Sequence, residues 1–257
     1  RRSQQGERGT QRHIAGPEAE SEVAPGRCHG GGDQGRCRDD QGDEADAFDH
    51  ACAQQQPQRA LCRHGDAGGA VGSGGSGGGI HNNGSLTVSN STISGNSVAR
   101  HGGGIFNNSN LTLTNSTLSG NSAGTYGGGI NNIRTLTLTN STLSGNTAYS
   151  GGGISNGSSL TISNSTLFGN SATFGGGIEN FGGTFSLNNS TLSGNSAIQG
   201  VGRGGAIYNR GVGTISNSTL SGNSAIQPGG GIYNFTGSTL NIANTIIANS
   251  TSGGDFA

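Results

Sequence analysis

The sequence predicts an all-β fold, a single-stranded parallel β-helix of about seven coils of 24–25 residues at positions 77–252. Three observations predict it. The segments LTLTNSTLSGNSA at 111–123 and LTLTNSTLSGNTA at 136–148 are nearly identical and begin 25 positions apart. Apolar residues alternate with polar ones in each segment, which is the period of a β-strand. Glycine and asparagine recur at fixed places between the strands, where the chain must turn.

The elements of one unit can be assigned in order. An aliphatic residue after each glycine run opens the first strand, and Leu111 and Leu113 alternate with Thr in the second. Leu118 lies five positions after Leu113, so the alternation changes phase between them. We place a corner at Asn115, because Asn tolerates the left-handed conformation that such a bend needs. A third strand follows, and residues 120–121 and the next glycine run form the other two corners.

An asparagine recurs at the first corner of each unit and opens the motif Asn-Ser-Thr in six units. Stacking of identical coils predicts that these amides form a ladder along the axis. The same residues form glycosylation sequons, but we interpret them as structural. The last unit reads NTIIANS, which predicts that its second corner is shifted by one position. The predicted ladder consists of Asn90, Asn115, Asn140, Asn164, Asn189 and Asn217.

The composition narrows the function classes. Of 257 residues, 53 are Gly and 11% are charged, and the formal net charge is −1. A near-neutral chain has no general electrostatic attraction to nucleic acid or to an anionic membrane. The sequence also lacks a run of about 18 apolar residues. We therefore expect no nucleic-acid partner and no membrane span. The absence of an initial Met and of an apolar signal segment predicts that the chain is part of a longer polypeptide.

The N-terminal part has a different composition. Residues 1–76 contain most of the charged residues and a Gly/Ser linker, and their apolar residues follow neither a helix nor a strand period. Such a segment cannot bury enough apolar surface to offset the entropy of ordering it, so we expect low-complexity disorder. An out-of-frame or misassigned reading of a gene would also explain the change in composition. Residues 77–252 then form the β-helix, and 253–257 form a tail.

The four cysteines do not predict a metal site. They are separated by eight, 14 and nine residues, which matches no C-x2-C zinc pattern. If the chain is secreted, a disulfide bond between two of these cysteines is an alternative interpretation. We interpret the cysteines as incidental residues of a disordered arm, and we predict no metal and no cofactor. They are Cys28, Cys37, Cys52 and Cys62.

The repeat resembles a known group of surface proteins. The sequence GGAI at 204–207 with L-x-x-N at 220–223, and GGGI in the other units, is similar to the GGA[ILV]…FxxN repeats of polymorphic outer-membrane proteins. It also resembles bacterial surface proteins with pectate-lyase-like, right-handed parallel β-helices. This chain has Leu or Ile where that family prefers Phe, and we expect no translocator barrel within residues 1–257. The resemblance implies a right-handed coil and an extracellular or outer-surface location, often with an adhesive function.

Catalysis is not predicted. Glycoside hydrolysis needs two carboxylates about 5–10 Å apart, and calcium-assisted lyases need several carboxylates and a base. The coils contain Glu179 alone, and Asp255 follows them. We therefore predict no catalytic residues. The enzymatic alternative is a β-helix fragment of a polysaccharide-active enzyme whose catalytic residues are absent from this chain.

A second alternative is an ice-binding solenoid. Outward Thr and Ser residues form columns on one flat strand face, such as Thr112 and Thr114 or Thr137 and Thr139. Flat threonine arrays resemble those of ice-binding solenoids. Thr is also common at solvent-facing strand positions without any binding function. In the later units other residues replace Thr, as Ser and Asn do at 186 and 188.

The third candidate is a binding edge formed by loops. Loop length varies most between the second corner and the next glycine run, and insertions in repeat proteins map to exposed loops. Aromatic and Arg side chains favour recognition of partners, although neutral drift of the loops would give the same variation. We predict a non-catalytic adhesive or structural stalk whose partner is a host or cell-surface glycan or protein. The predicted edge residues are Arg100, His101, Tyr126, Tyr149, Phe174 and Arg203.

Overall fold

A computed structural model describes residues 61–62, 75–198 and 200–257. Apart from Leu61–Cys62 and residues 75–76, the N-terminal segment lies outside the described residues, and so do the predictions of disorder and of incidental cysteines made for that part. The strand Leu61–Cys62 lies parallel to the strand Thr92–Ser94. Ser76 forms a parallel bridge with His101. The remaining described residues form a parallel β-solenoid, which confirms the predicted all-β fold class. Its coils are numbered 1–7 below, starting at Ile80.

The strands of successive coils build three long parallel sheets. Sheet 1 contains Leu61–Cys62, Thr92–Ser94, Thr117–Ser119, Thr142–Ser144, Thr166–Phe168, Thr191–Ser193, Thr219–Ser221 and Ile246–Ala248. Sheet 2 contains Ile80–Asn82, Ile105–Asn107, Ile130–Asn132, Ile154–Asn156, Ile178–Asn180, Ile207–Asn209 and Ile232–Asn234. Sheet 3 contains Leu86–Ser89, Asn110–Thr114, Thr135–Thr139, Ser159–Ser163, Thr184–Asn188, Val212–Ser216 and Thr239–Ala243.

A fourth, shorter ladder was not predicted from the sequence. Two-residue strands follow the corner after sheet 1, and isolated bridges through Thr147 join the early coils to the later ones. Its small inward side chains include Ala123 and Ala148, which are buried. This ladder widens the coil beyond three strands. Its strands are Ser97–Val98, Ser122–Ala123, Ser171–Ala172, Ser196–Ala197 and Ser224–Ala225.

The register places each residue beside its own copy in the next coil. Ile105 pairs with Ile130, and Leu111 pairs with Leu136. The apolar side chains therefore form continuous columns inside the solenoid, and Leu113 and Leu138 are fully buried. Because no single coil can bury its own apolar side chains, stacking supplies the hydrophobic core.

The Asn-Ser-Thr motif makes the corner between sheet 3 and sheet 1. Asn115 has a φ of 49°, the left-handed conformation predicted for this corner. The hydroxyl of the buried Ser116 donates to the carbonyl of Thr114 at 2.8 Å and accepts from the backbone N–H of Ser91 in the preceding coil at 3.1 Å. The Thr that follows points outward and the Leu after it points into the core. Each position of the motif therefore has its own structural reason to recur.

Two columns of asparagines, buried except for the half-buried Asn234 in the last coil, form continuous amide ladders. In the column that ends each sheet 2 strand, Nδ2 of one coil donates to Oδ1 of the next at 2.7–2.9 Å. In the column after sheet 1, the same contact is 2.9–3.1 Å. The first ladder consists of Asn82, Asn107, Asn132, Asn156, Asn180, Asn209 and Asn234. The second consists of Asn96, Asn121, Asn146, Asn170, Asn195 and Asn223.

The ladder predicted at the first corner is formed only in part. Asn115 donates to Asn90 at 3.3 Å and Asn189 to Asn164 at 2.6 Å. These side chains face solvent, so their recurrence reflects the left-handed backbone more than amide pairing. The six residues of this column, all exposed and with φ of 49–51°, are Asn90, Asn115, Asn140, Asn164, Asn189 and Asn217.

The last coil keeps the same corners. Asn249, with a φ of 57°, occupies the corner that Gly222 forms in coil 6, so the predicted shift of one position is not present. Ile246 of this coil pairs with Thr219 in the outward column of sheet 1, and its side chain is 62% exposed. Phe256 forms a parallel bridge with Ile232, so the final residues stay in register with sheet 2.

Candidate functional site

The outer side of sheet 2 differs chemically from the other two sheets. The middle residue of each sheet 2 strand points away from the core, and these residues are in register along the solenoid. Serine and threonine dominate the corresponding outer positions of sheets 1 and 3. On sheet 2 the row is mixed aromatic, polar and acidic, and we call it the central column. It consists of His81, Phe106, Asn131, Ser155, Glu179, Tyr208 and Tyr233.

A second row runs beside the central column. Each of its residues directly precedes a glycine run, and isolated parallel bridges connect each residue to the next. We call it the glycine-side column. It brings together four of the six residues predicted as a binding edge, His101, Tyr126, Phe174 and Arg203. The complete column is Ser76, His101, Tyr126, Ser150, Phe174 and Arg203.

The remaining two predicted residues lie next to this column. Tyr149 is 52% exposed, and its ring meets the edge of Phe174 at a centroid distance of 5.8 Å. Arg100 is exposed and directly precedes His101. Burial lowers the pKa of His101, and the neighbouring charge of Arg100 lowers it further. All six predicted residues therefore belong to one side of one surface.

A third row flanks the central column on the opposite side, immediately after the buried asparagine of each sheet 2 strand. We call it the corner-side column. Its backbone N–H groups donate to the preceding coil, for example from Phe181 to Asn156 and from Arg210 to Asn180 at 2.8 and 2.9 Å. Together the three columns define the sheet 2 face. The corner-side column is Asn83, Asn108, Ile133, Gly157, Phe181, Arg210 and Phe235.

Most aromatic rings of the described coils lie on this face and contact one another. Within the glycine-side column, His101 stacks on Tyr126 with 5.3 Å between the ring centroids. Phe174 lies 5.3 Å from Tyr208, and Tyr208 stacks on Tyr233 at 5.3 Å. The rings therefore run along the solenoid axis. The aromatic residues of the described coils that lie elsewhere are Phe168, Phe185 and Phe256.

A polar strip lies between these aromatic groups in coils 3–5. Asn131, Ser155 and Glu179 are buried although they point away from the core, and Glu179 is 3% exposed. The hydroxyl of Ser155 donates to Oε2 of Glu179 at 3.0 Å. Burial raises the pKa of Glu179 above its ordinary value of 4.5, while hydrogen bonds from Ser150 and Ser155 oppose the shift. The strip offers hydroxyl, amide and carboxyl groups between ring systems.

The acidic groups of the described residues lie in different coils. Glu179 is in coil 5, whereas Asp255 follows coil 7 and accepts from the backbone N–H of Ser250 at 2.9 Å. In the part of the chain that the structure describes, no group of three or more His, Cys, Asp and Glu residues could hold a metal ion. Among these residues, none forms a helix that is long and apolar enough to cross a bilayer.

Sequence reasoning missed the central and corner-side columns. Tyr208, Tyr233 and Arg210 were not assigned to the site, and Glu179 was considered only as a lone acid. A signal for them exists, because the residue after each sheet 2 isoleucine must point outward by strand alternation. Applying that rule to every copy of the glycine–isoleucine motif would have found the central column.

The threonine columns of sheet 3 are in the predicted register. Thr87 pairs with Thr112, Thr112 with Thr137, and Thr137 with Thr161. The column continues as Ser186, so the regular threonine pattern ends at coil 5.

The family described as right-handed β-helix region matches residues 76–252. No curated protein and no solved structure matches the chain. The family match covers the coils that carry the sheet 2 face.

Proposed function

This chain belongs to the family of right-handed β-helix regions, and we infer that it is a non-catalytic secreted or cell-surface protein that binds a surface glycan through its sheet 2 face. One observation carries the proposal: aromatic rings and arginines are concentrated on one face of a scaffold whose other faces present mainly serine and threonine. Tyr, Trp and Arg are the residue types that dominate binding hot spots.

The chemistry of the face suits a saccharide. Exposed rings such as Tyr126 and Tyr149, which are 40% and 52% exposed, can cover the apolar C–H side of a sugar. The exposed amides of Asn83 and Asn108 on the same face can exchange hydrogen bonds with sugar hydroxyls. Recognition of this kind needs no catalytic carboxylate pair.

The solenoid makes the binding elements periodic. Equivalent residues of successive coils are about 4.8 Å apart, so a polymeric ligand meets several contacts along the axis. Several weak contacts held on one rigid support give high overall avidity, which suits adhesion. The resemblance to polymorphic outer-membrane repeats supports a surface location for such a protein.

Replacing Tyr126, Tyr149 and Phe174 together with Ala tests this function. We expect binding to an array of bacterial and host surface glycans to fall by about 100-fold or more, because each lost hot-spot ring costs at least about 1 kcal/mol. Affinity is measured on the array by titration, and the fold is checked by circular dichroism.

The matched control replaces Thr112, Thr137 and Thr161 on sheet 3 with Ala, which also truncates one side chain in each of three coils. Its glycan binding should equal that of the parent protein. Unchanged glycan binding by a folded aromatic variant would refute the proposed face. Binding to a protein and to no glycan on the array would replace the glycan with a protein partner.

A further inference from the structure

Arg203 is held in a fixed orientation at the C-terminal half of the sheet 2 face. Its Cζ lies 4.9 Å from the ring centroid of Tyr233, and Nη1 donates to the hydroxyl of that tyrosine at 3.2 Å. Its Nε is buried and has no hydrogen-bond partner. A guanidinium has five donors in a rigid fork. Arg203 is therefore a pre-oriented cation, and because its Nε is buried, only the Nη end of the guanidinium can meet a ligand.

Arg210 is held in a similar way on the other flank. Its Cζ lies 4.7 Å from the ring centroid of Phe181 and 5.3 Å from that of Phe235. Stacking on rings uses the flat sides of a guanidinium and leaves its edge, where the N–H groups are, free to donate. The residue is exposed, so this edge is accessible to a ligand.

The two arginines flank the same strand, Ile207–Asn209. Burial raises the pKa of Tyr208 in that strand, and the positive charges of both Arg210 and Arg203 oppose the shift. Arg203 belongs to the glycine-side column and Arg210 to the corner-side column, so the two guanidiniums flank the central column at Tyr208 and Tyr233.

No carboxyl group of the described coils hydrogen-bonds to Arg203 or Arg210, although the charge of Arg210 opposes the rise that burial causes in the pKa of Glu179. Glu179 accepts from Ser155, and Asp255 accepts from the backbone of Ser250. Two of the four arginines of the described coils, Arg203 and Arg210, belong to the sheet 2 face, and Arg100 and Arg134 each directly adjoin a residue of that face in the chain. An anionic ligand is the complementary partner.

We propose, building on the glycan-binding function above, that coils 5–7 of the sheet 2 face bind a glycan that carries a sulfate or phosphate ester. Arg203 and Arg210 donate to the ester oxygens from the two sides of the strand. A carboxylate has two oxygens, which one guanidinium fork can occupy. A sulfate or phosphate ester has three terminal oxygens and can accept from both forks.

The test compares single variants of the full chain. Arg203→Gln and Arg210→Gln each remove one stacked fork, and Arg134→Gln is the matched control because it removes the same charge from an exposed site beside the same sheet. The probes are heparin for sulfate, phosphomannan for phosphate, hyaluronan for carboxylate, dextran as a neutral glycan, and poly-glutamate as an acidic peptide. Affinity is measured by biolayer interferometry, and folding by thermal melting.

We expect tight binding to heparin or to phosphomannan, and the preferred probe identifies the ester. Arg203→Gln and Arg210→Gln should each weaken that binding roughly tenfold, as loss of a charged hydrogen-bonding group does. Arg134→Gln should weaken it by less than about threefold, as is usual for an exposed charge. Arg203→Lys and Arg210→Lys keep the charge, and they should also lose affinity because the fork is lost.

Three results would overturn the inference. Equal losses in all three Gln variants would mean that general charge attracts the ligand. Equal affinity for hyaluronan, or tighter binding of poly-glutamate, would identify a carboxylate or a peptide as the partner. Failure to bind both heparin and phosphomannan, while array glycans still bind through Tyr126, Tyr149 and Phe174, would end this inference and leave the proposed function intact.

Discussion

Replacing Gly152 with Ala is expected to destabilise the solenoid by about 3 kcal/mol or more, at the upper limit for an added methyl group in a packed interior. A Cβ at this position would lie 2.5 Å from the carbonyl oxygen of Gly176 and 2.5 Å from that of Ser171. Both obstacles are backbone atoms in the next coil or the adjoining corner, so no side chain can rotate away. The free energy of unfolding is measured in urea.

Gly153→Ala is the matched control for this variant. It adds the same atom one position later, where a Cβ would meet one backbone atom closer than 3 Å, the carbonyl oxygen of Gly177 at 2.5 Å, whereas at Gly152 it would meet three. Ala206 occupies the equivalent place before coil 6 and is fully buried, so the coils can shift enough to accept a methyl group there, and we expect a clearly smaller loss of stability. If the two variants lose the same stability, close coil-to-coil contact at Gly152 is not the reason why the glycine run recurs along this chain.

Asn146→Asp is expected to cost about 3 kcal/mol or more at neutral pH. Nδ2 of Asn146 donates to the carbonyl of Leu118 at 3.1 Å and to Oδ1 of Asn170 at 2.9 Å. Its Oδ1 accepts from the backbone N–H and the Nδ2 of Asn121, both at 3.0 Å. The Asp carboxylate can still accept from Asn121, but it cannot donate. The carbonyl oxygen of Leu118 and Oδ1 of Asn170 would then face a negatively charged oxygen in a buried site.

The cost of Asn146→Asp should depend on pH. Burial and the facing oxygens raise the carboxyl pKa in the folded protein, so protonation favours the folded state. The lost stability should therefore return in part as the pH falls through that raised pKa, because the protonated acid can again donate one hydrogen bond. Urea unfolding at a series of pH values measures this dependence.

Asn140→Asp makes the same chemical change in the same coil and serves as its control. Asn140 is exposed at the left-handed corner with a φ of 49°, a conformation that Asp also tolerates. We expect a change within about 0.5 kcal/mol, as for most surface substitutions. A large loss of stability at Asn140 together with a small loss at Asn146 would mean that the first-corner column, and not the column after sheet 1, forms the buried ladder.

The sequence contained enough information to predict the coil. The phase change between Leu113 and Leu118 located the corner at Asn115, and the repeat length determined which residues would pair between coils. The repeat could not show which asparagine column is buried, because Asn107, Asn115 and Asn121 all recur with the same period. Orientation at a corner depends on backbone dihedrals, which periodicity alone does not reveal.

The candidate site was predicted on one flank only. Loop-length variation pointed to Tyr126 and Arg203 because insertions collect there. It could not point to Tyr208 or Glu179, which lie inside regular strands of constant length. Strand alternation in the glycine–isoleucine motif places these two residues on the outer side of sheet 2. That the glycine-side column lies beside them is a tertiary arrangement, which no local pattern encodes.

The central claim is that identical positions of successive coils lie directly beside one another. Disulfide formation measures this most directly, in a chain whose native cysteines are replaced by Ser. Thr112 and Thr137 are outward partners in adjacent coils, so their Cα atoms are about 4.8 Å apart, within the range that a disulfide spans. Thr112 and Thr161 are two coils apart, at about 9.6 Å.

We predict that the double variant T112C/T137C forms an intramolecular disulfide rapidly and nearly completely under mild oxidation, whereas T112C/T161C stays reduced in the folded protein. Mass spectrometry of tryptic and chymotryptic peptides identifies the bonded pair. Equal disulfide yields for the two variants, or none for T112C/T137C, would contradict the stacked register on which the fold and the binding face depend.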